Sequence, residues 1–200
     1  MGNELRDLTL EHLALVLISM SIAILLAVPG GILATRRQAW RRGAVGFANI
    51  MQTVPSLALF GFLIPIPFIG GIGKSTAIVA LVLYALLPIL RNTLAGVLGV
   101  DAAVRESAVA MGMTPRQVLW QVELPLAART ILAGIRIATV ATIGGATIAA
   151  AIGGGGLGVF IFRGIASVDT GQILAGAIPA ALIALAADAG LGWIERRVAV

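Results

Sequence analysis

Three segments of this 200-residue chain carry the spacing of sites that hold phosphates or read DNA. Gly70-Gly71-Ile72-Gly73-Lys74-Ser75 ends like a phosphate-cradling loop, in which backbone N–H groups and a lysine grip an anionic tail. The first glycine of that pattern falls on Phe68, and Pro65 and Pro67 occupy the place of the required strand. Gly153, Gly155 and Gly158 satisfy G-x-G-x-x-G, yet no strand leads into them. That run implies an outward-facing turn with a free backbone. Ala108, Gly112 and Val118 have the spacing of a DNA-reading helix-turn-helix. Nearby, Arg105, Arg116 and Arg129 are offset by Asp101, Glu106 and Glu123, which leaves no cationic surplus for phosphates. Nucleic acid is therefore not an expected partner. The chain has no cysteine and one histidine, His12, so neither a thiolate site nor an all-protein metal site is expected.

The elements that carry these segments follow from composition. Hydrophobic residues make up 59% of the chain and charged residues only 12%, against an ordinary share of about 45–50% and about 25%. One soluble core of this size cannot bury that much apolar surface. The expected solvent is the lipid bilayer, and the expected fold is an all-α polytopic membrane protein. Residues 13–35 and 43–73 hold no charge. Five spanning helices are expected, at about 12–35, 46–66, 75–98, 130–152 and 171–194, in a single domain covering 1–200. Residues 1–12 mix acids with an arginine, and the apolar stretch behind them is too long for a cleaved signal peptide. Pro29, Pro55, Pro88 and Pro179 are expected to kink their spans. Ala141, Gly145, Ala149 and Gly153 form a small-residue face on the fourth span, suited to ordinary close packing or to a movable interface.

The net charge of +5 then reads as orientation. Arg36, Arg37, Arg41 and Arg42 follow the first span, Arg91, Arg105, Arg116 and Arg129 lie between the third and fourth, and Arg196 and Arg197 close the chain. All fall on one face, while the other receives Arg6, Lys74 and Arg163. The positive-inside rule puts the richer face in the cytoplasm, with the N-terminus outside and the C-terminus inside.

The long cytoplasmic loop, 101–128, reads as a helical hairpin. Asp101 to Met111 can form a short helix capped by Gly112, and Thr114-Pro115-Arg116-Gln117 gives an N-cap, a first-turn proline and a capping-box glutamine. Pro125 is expected to end the second helix. Two apolar stripes, Val104/Ala108/Met111 and Val118/Leu119/Val122, suit docking into a groove of a partner; packing on the chain's own membrane domain is the alternative.

Glu106-Ser107-Ala108, three residues, Gly112, nine residues, then Val122-Glu123-Leu124-Pro125 resembles the EAA signature, E-A-A-x3-G-x9-I-x-L-P, of bacterial ABC importer permeases. The departures are Ser107 for alanine and Val122 for isoleucine. Residues 51–59, 152–158, 160–165 and 173–179 are similar to the glycine betaine/carnitine/choline (osmoprotectant) branch; methionine importer permeases share the size and a glycine run. The resemblance implies the type I ABC importer transmembrane fold in a bacterial plasma membrane, and a subunit that is not an enzyme and holds no cofactor. Its implied partners are two cytoplasmic ABC ATPase subunits that use the ATP, a second permease copy or paralogue, and an external substrate-binding protein. It carries coupling to the ATPase onto Glu106, Ser107, Ala108 and Gly112, with Leu124 and Pro125 as the hinge toward the membrane.

Two charges lie inside spans. Arg136 and Asp188 sit about 9 Å from the same membrane edge. Matched depth suggests an ion pair, and separate snorkelling to the interface is the alternative. Gln52, Thr53 and Ser56 in the second span are polar and suit either a lined pathway or helix–helix hydrogen bonds. Trp40, Trp120 and Trp193 all fall near the cytoplasmic face, Tyr84 is the lone tyrosine, and Phe62, Phe68, Phe160 and Phe162 lie toward the outside. A self-sufficient secondary transporter or channel is the rival class. It calls for intramembrane acids or an inverted repeat, and Asp188 is the single acid within a span.

Overall fold

A computed structural model describes residues 2–66 and 71–198. Among them every regular element is helical. Pro67, Phe68 and Gly70, part of the loop resembling a phosphate site, lie outside the described residues.

The chain begins with α1, Gly2–Arg36, which continues beyond the expected span at its N-terminal end. Pro29 lies inside it without ending it. The stretch expected as one helix over 46–66 is instead two, α2 (Gln38–Thr53) and α3 (Ser56–Leu63), meeting at 104°. The cause is local. Pro55 disfavours helical backbone at the preceding residue, and Val54 sits extended at φ −69°, ψ 126°. A proline inside a helix ordinarily kinks it; here an extended residue joins the proline and the turn is complete.

The central helix is α4, Lys74–Leu98, which packs against α1, α2 and the later α7. Its buried face includes Ala77, Ala80, Leu81, Ala85, Ile89 and Leu90. Then come α5 (Ala102–Ala110) and α6 (Pro115–Val118), a π-helical turn at Leu119–Glu123, α7 (Leu124–Ile148) and a 3₁₀ turn at Ala149–Ile152. From Pro115 to Ile152 these form one unbroken helical stretch of 38 residues. The expectation that Pro125 ends a helix is thereby corrected. Pro125 stands in the first turn of α7, where the wider π turn before it removes the demand for its missing N–H.

Close approach of α4 and α7 depends on Gly134, where a Cβ would lie 2.5 Å from the Asn92 Cβ and 2.8 Å from the Pro88 carbonyl. The glycine turn after Ile152 has positive φ at Gly153, Gly155 and Gly156 and leads into α8 (Gly158–Ser167), a short apolar helix. The last helix is α9, Thr170–Arg197, packed on α7 and α8 and otherwise open along Leu174, Ile178, Leu182 and Leu185. Among the described residues four helical stretches have the length and apolarity to cross a membrane, and the α2–α3 pair brings the number to five if it counts as one span.

Candidate functional site

The hairpin formed by α5 and α6 is built from local signals. Asp101 caps α5 by accepting from the Ala103 N–H at 2.8 Å. Gly112, at φ +84°, reverses the chain, and the Met113 N–H returns to the Ala108 carbonyl at 3.2 Å. Thr114 and Gln117 complete a reciprocal capping box at the start of α6.

The side chains expected to couple to an ATPase divide into two groups. Glu106 and Ser107 are exposed, and the Ser107 hydroxyl donates to the Ala103 carbonyl of its own helix at 2.7 Å. Ala108 is buried, as is Val118 on the other arm. Both belong to the inside of the hairpin and not to a docking stripe. Leu119 and Val122 are half-buried. The apolar groups that do face outward are Val104, Val109, Met111 and Trp120, the last 62% exposed. Beside Trp120 an open cleft of ≈ 450 Å³ is lined by Thr114, Arg116, Gln117 and Gln121. Leu124 is half-buried and Pro125 exposed at the root of α7.

The hairpin is tied to the membrane helices through Glu123, whose residue surface is only 2% exposed. Its carboxylate accepts from Arg105 Nε at 2.7 Å and from Arg36 Nη2 at 3.0 Å. Arg105 also donates to the Val97 carbonyl at 3.2 Å. One acid thus joins α5, the π turn, the end of α1 and the end of α4. A buried carboxylate is tolerated only with such charged donors. This cluster was not singled out from the sequence; the signal available was an acid inside the apolar run 118–127.

Farther along α7, Arg136 donates to both Asp188 oxygens, Nε–Oδ1 at 2.6 Å and Nη2–Oδ2 at 2.7 Å. Glu195 accepts from Arg136 Nη1 at 3.4 Å and pairs with Arg129 at 3.9 Å. Gly192 makes room for the guanidinium, since a Cβ there would lie 2.9 Å from Nη1. The result is a balanced four-charge seam between α7 and α9.

A third feature is a cavity of ≈ 240 Å³ at the α2–α3 break, whose lining includes Gln52, Ser56, Phe60, Tyr84, Thr142 and Gly145. Thr53 does not line it; its hydroxyl donates back to the Ile50 carbonyl at 2.8 Å. Gln52 Nε2 donates to the Tyr84 carbonyl at 3.1 Å, and the Tyr84 hydroxyl donates to the Val54 carbonyl that the break releases. The lone tyrosine therefore braces the break.

At the opposite end from the hairpin, Lys74 pairs with Glu11 at 2.8 Å, Glu11 accepts from the Gly156 N–H at 3.3 Å, and Arg163 pairs with Glu4. Lys74 thus joins α4 to α1. Among the described residues no three His, Cys, Asp or Glu side chains gather to hold a metal.

A family model described as "Binding-protein-dependent transport system inner membrane component" matches residues 27–200. The choline transport system permease protein OpuBB of Bacillus subtilis (strain 168) is 45% identical over 197 residues, covering 98% of this chain and 89% of the relative. The glycine betaine/carnitine/choline permease OpuCB of the same organism is also 45% identical, with the same coverage. The carnitine transport permease OpuCB of Listeria monocytogenes is 46% identical over 98% of this chain and 89% of its own. Among solved structures, an inward-facing MetNI methionine ABC transporter matches with a TM-score of 0.89, at 24% identity over 99% of this chain and 97% of that one. An amino acid ABC transporter crystallised with histidines matches with a TM-score of 0.82, at 18% identity over 98% and 94%. These likenesses show the fold, that of a type I ABC importer permease.

Proposed function

The chain belongs to the family of binding-protein-dependent transport system inner membrane components, and from that membership we infer that it imports quaternary-ammonium osmoprotectants such as glycine betaine, carnitine or choline. It is a multi-pass permease subunit of an ABC transport system. The relatives that share 45–46% of its residues over nearly its whole length are named for those substrates, and that observation carries the reading.

In this reading the subunit hydrolyses nothing and binds no nucleotide. Two permeases, a pair of copies or of paralogues, form the pathway across one domain each; two cytoplasmic ATPases drive them, and an external binding protein delivers substrate. The hairpin is the part that meets the ATPase. Its outward Val104, Val109, Met111 and Trp120 give a neutral, apolar contact, flanked by exposed Glu106 and shaped by the turn at Gly112. Motion of the ATPases displaces the hairpin, and Leu124 and Pro125 at the root of α7 pass that displacement to the spans. Gln52 and Ser56 face the pathway.

The hairpin face is cytoplasmic. Arg36, Arg105 and Glu123 meet there, and Arg129 and Glu195 lie near the same end, so the basic ends of α1, α7 and α9 gather on one side, as the positive-inside rule requires of a cytoplasmic face. The N-terminal end of α1, with Glu4 and Glu11, then lies outside beside Lys74 and Arg163.

The reading is tested by co-purification with the ATPase and by uptake of labelled choline into vesicles, with glycine betaine, carnitine and methionine as competitors. Competition by the first two and not by methionine is expected. Competition by methionine alone would overturn the substrate assignment.

A further inference from the structure

Resting on the permease reading, we propose that the cavity at the α2–α3 break is a transient site for the quaternary ammonium head group in transit, with Tyr84 as its fixed aromatic wall and the Ser56 hydroxyl as a partner for the polar end.

Depth is the first observation. Tyr84 lies ten residues into α4 and Thr142 ten residues before the end of the 3₁₀ turn, so each is about 15 Å from the outer helix ends. That is the middle of a hydrocarbon core about 30 Å thick. The break itself is the second. Interrupted helices are tolerated at membrane depth only where the freed backbone is buried in protein or lines a cavity, and Gln52 and Ser56, on either side of the break, line this one.

Charge chemistry then narrows the ligand. Among the described residues no charged side chain lines the cavity. The primary ammonium of an amino acid keeps three N–H donors and a concentrated charge that calls for a carboxylate counter-ion at such a depth, which the described lining does not supply. A quaternary ammonium has no N–H, spreads its charge over methyl groups, and is held by the face of an aromatic ring. Tyr84 and Phe60 supply rings. Tyr84 is also held at both ends, its hydroxyl on the Val54 carbonyl and its own carbonyl accepting from Gln52, so the wall needs no ordering when a ligand arrives. With no counter-ion the grip is weak, which suits a site that must release its ligand.

The experiment uses the assembled transporter, permease with its ATPase and an unchanged binding protein, in proteoliposomes. Initial uptake of labelled choline and carnitine is read per assembled complex for the wild type, Tyr84→Phe, Tyr84→Leu and Ala141→Leu. Ala141→Leu narrows the cavity from α7 without touching the bend. Loss of the ring in Tyr84→Leu is expected to lower uptake of both substrates about tenfold, whereas Tyr84→Phe retains most of it. Ala141→Leu is expected to cut carnitine uptake more than choline uptake, the shorter molecule. Because the binding protein is common to all samples, a changed ratio belongs to the permease. Unchanged uptake and an unchanged ratio in both leucine variants would overturn the site even if Tyr84→Leu assembles poorly, since Ala141→Leu reports separately. Absence of ATP-driven uptake of either compound by the wild type would instead overturn the functional reading, and the site with it.

Discussion

Arg105 donates to Glu123 at 2.7 Å across 18 residues of sequence, and this bond makes the hairpin and the root of α7 one rigid piece. The same carboxylate holds Arg36 from the end of α1, 87 residues away. Any push on α5 therefore reaches two membrane helices at once. Rigid coupling of this kind transmits motion only while the buried acid keeps both donors.

Glu123→Gln keeps the shape and removes the charge. Uptake per ATP hydrolysed is expected to fall severalfold while the protein still inserts and binds the ATPase. Arg105→Ala is the harsher change, because it leaves the buried carboxylate with Arg36 alone; the Arg105 side chain is itself 34% exposed, so the loss is about 1–3 kcal/mol. Parallel assays of ATP hydrolysis and uptake check the first, and thermal melting in detergent checks the second. An unaltered coupling ratio in Glu123→Gln contradicts the relay.

Arg136 and Asp188 form the seam between α7 and α9. Removing either charge alone is expected to lower the melting temperature and the yield of membrane-inserted protein. The exchanged pair, Arg136→Asp with Asp188→Arg, is expected to recover part of both. Equal losses in the exchange and in the single changes would show that Glu195 and Arg129, not the pair, govern this seam.

Gly134 and Gly144 lie on the same helix and differ in surroundings. A Cβ at Gly134 would press on Asn92 and Pro88, whereas one at Gly144 meets nothing within 4 Å. Gly134→Val is expected to destabilise by about 1–3 kcal/mol through overpacking. Gly144→Ala is expected to be neutral or slightly stabilising, since alanine favours helix over glycine. Melting curves of the two purified variants decide, and a reversed order contradicts the α4–α7 packing described.

What could be read from sequence and what could not divides by range. Gly112 and the Thr114–Gln117 box are local devices, so their turn geometry is legible in a few residues. Equal depth from one membrane edge is likewise readable for Arg136 and Asp188, but the approach of Glu195 from a later turn of α9 is not. The setting of Glu123 was invisible because one of its two donors comes from the far end of α1. Ala108 has the period of an outward stripe, yet it packs inward because the capped turn folds α6 against it. Pro55 was legible as a disturbance. Its completion into a 104° turn depends on Val54 adopting extended backbone and on Tyr84, thirty residues on, taking the released carbonyl.

The turn at Gly112 supplies a further test. Its φ of +84° is strained for any residue with a Cβ, although the space around it is open. Gly112→Val is expected to distort the turn at roughly 1–2 kcal/mol, reducing ATPase binding without hindering insertion. Pull-down of the ATPase by the variant checks it.

The most direct measurement is ATP-driven choline uptake into proteoliposomes holding the permease, its ATPase and the binding protein, comparing wild type with the Glu106→Ala, Gly112→Val double variant. Uptake that requires ATP in the wild type and is lost in the double variant, at equal membrane levels, is the expected result. Uptake that proceeds without ATP, or that survives the double change intact, would contradict the hairpin as the point where ATP hydrolysis is coupled to transport.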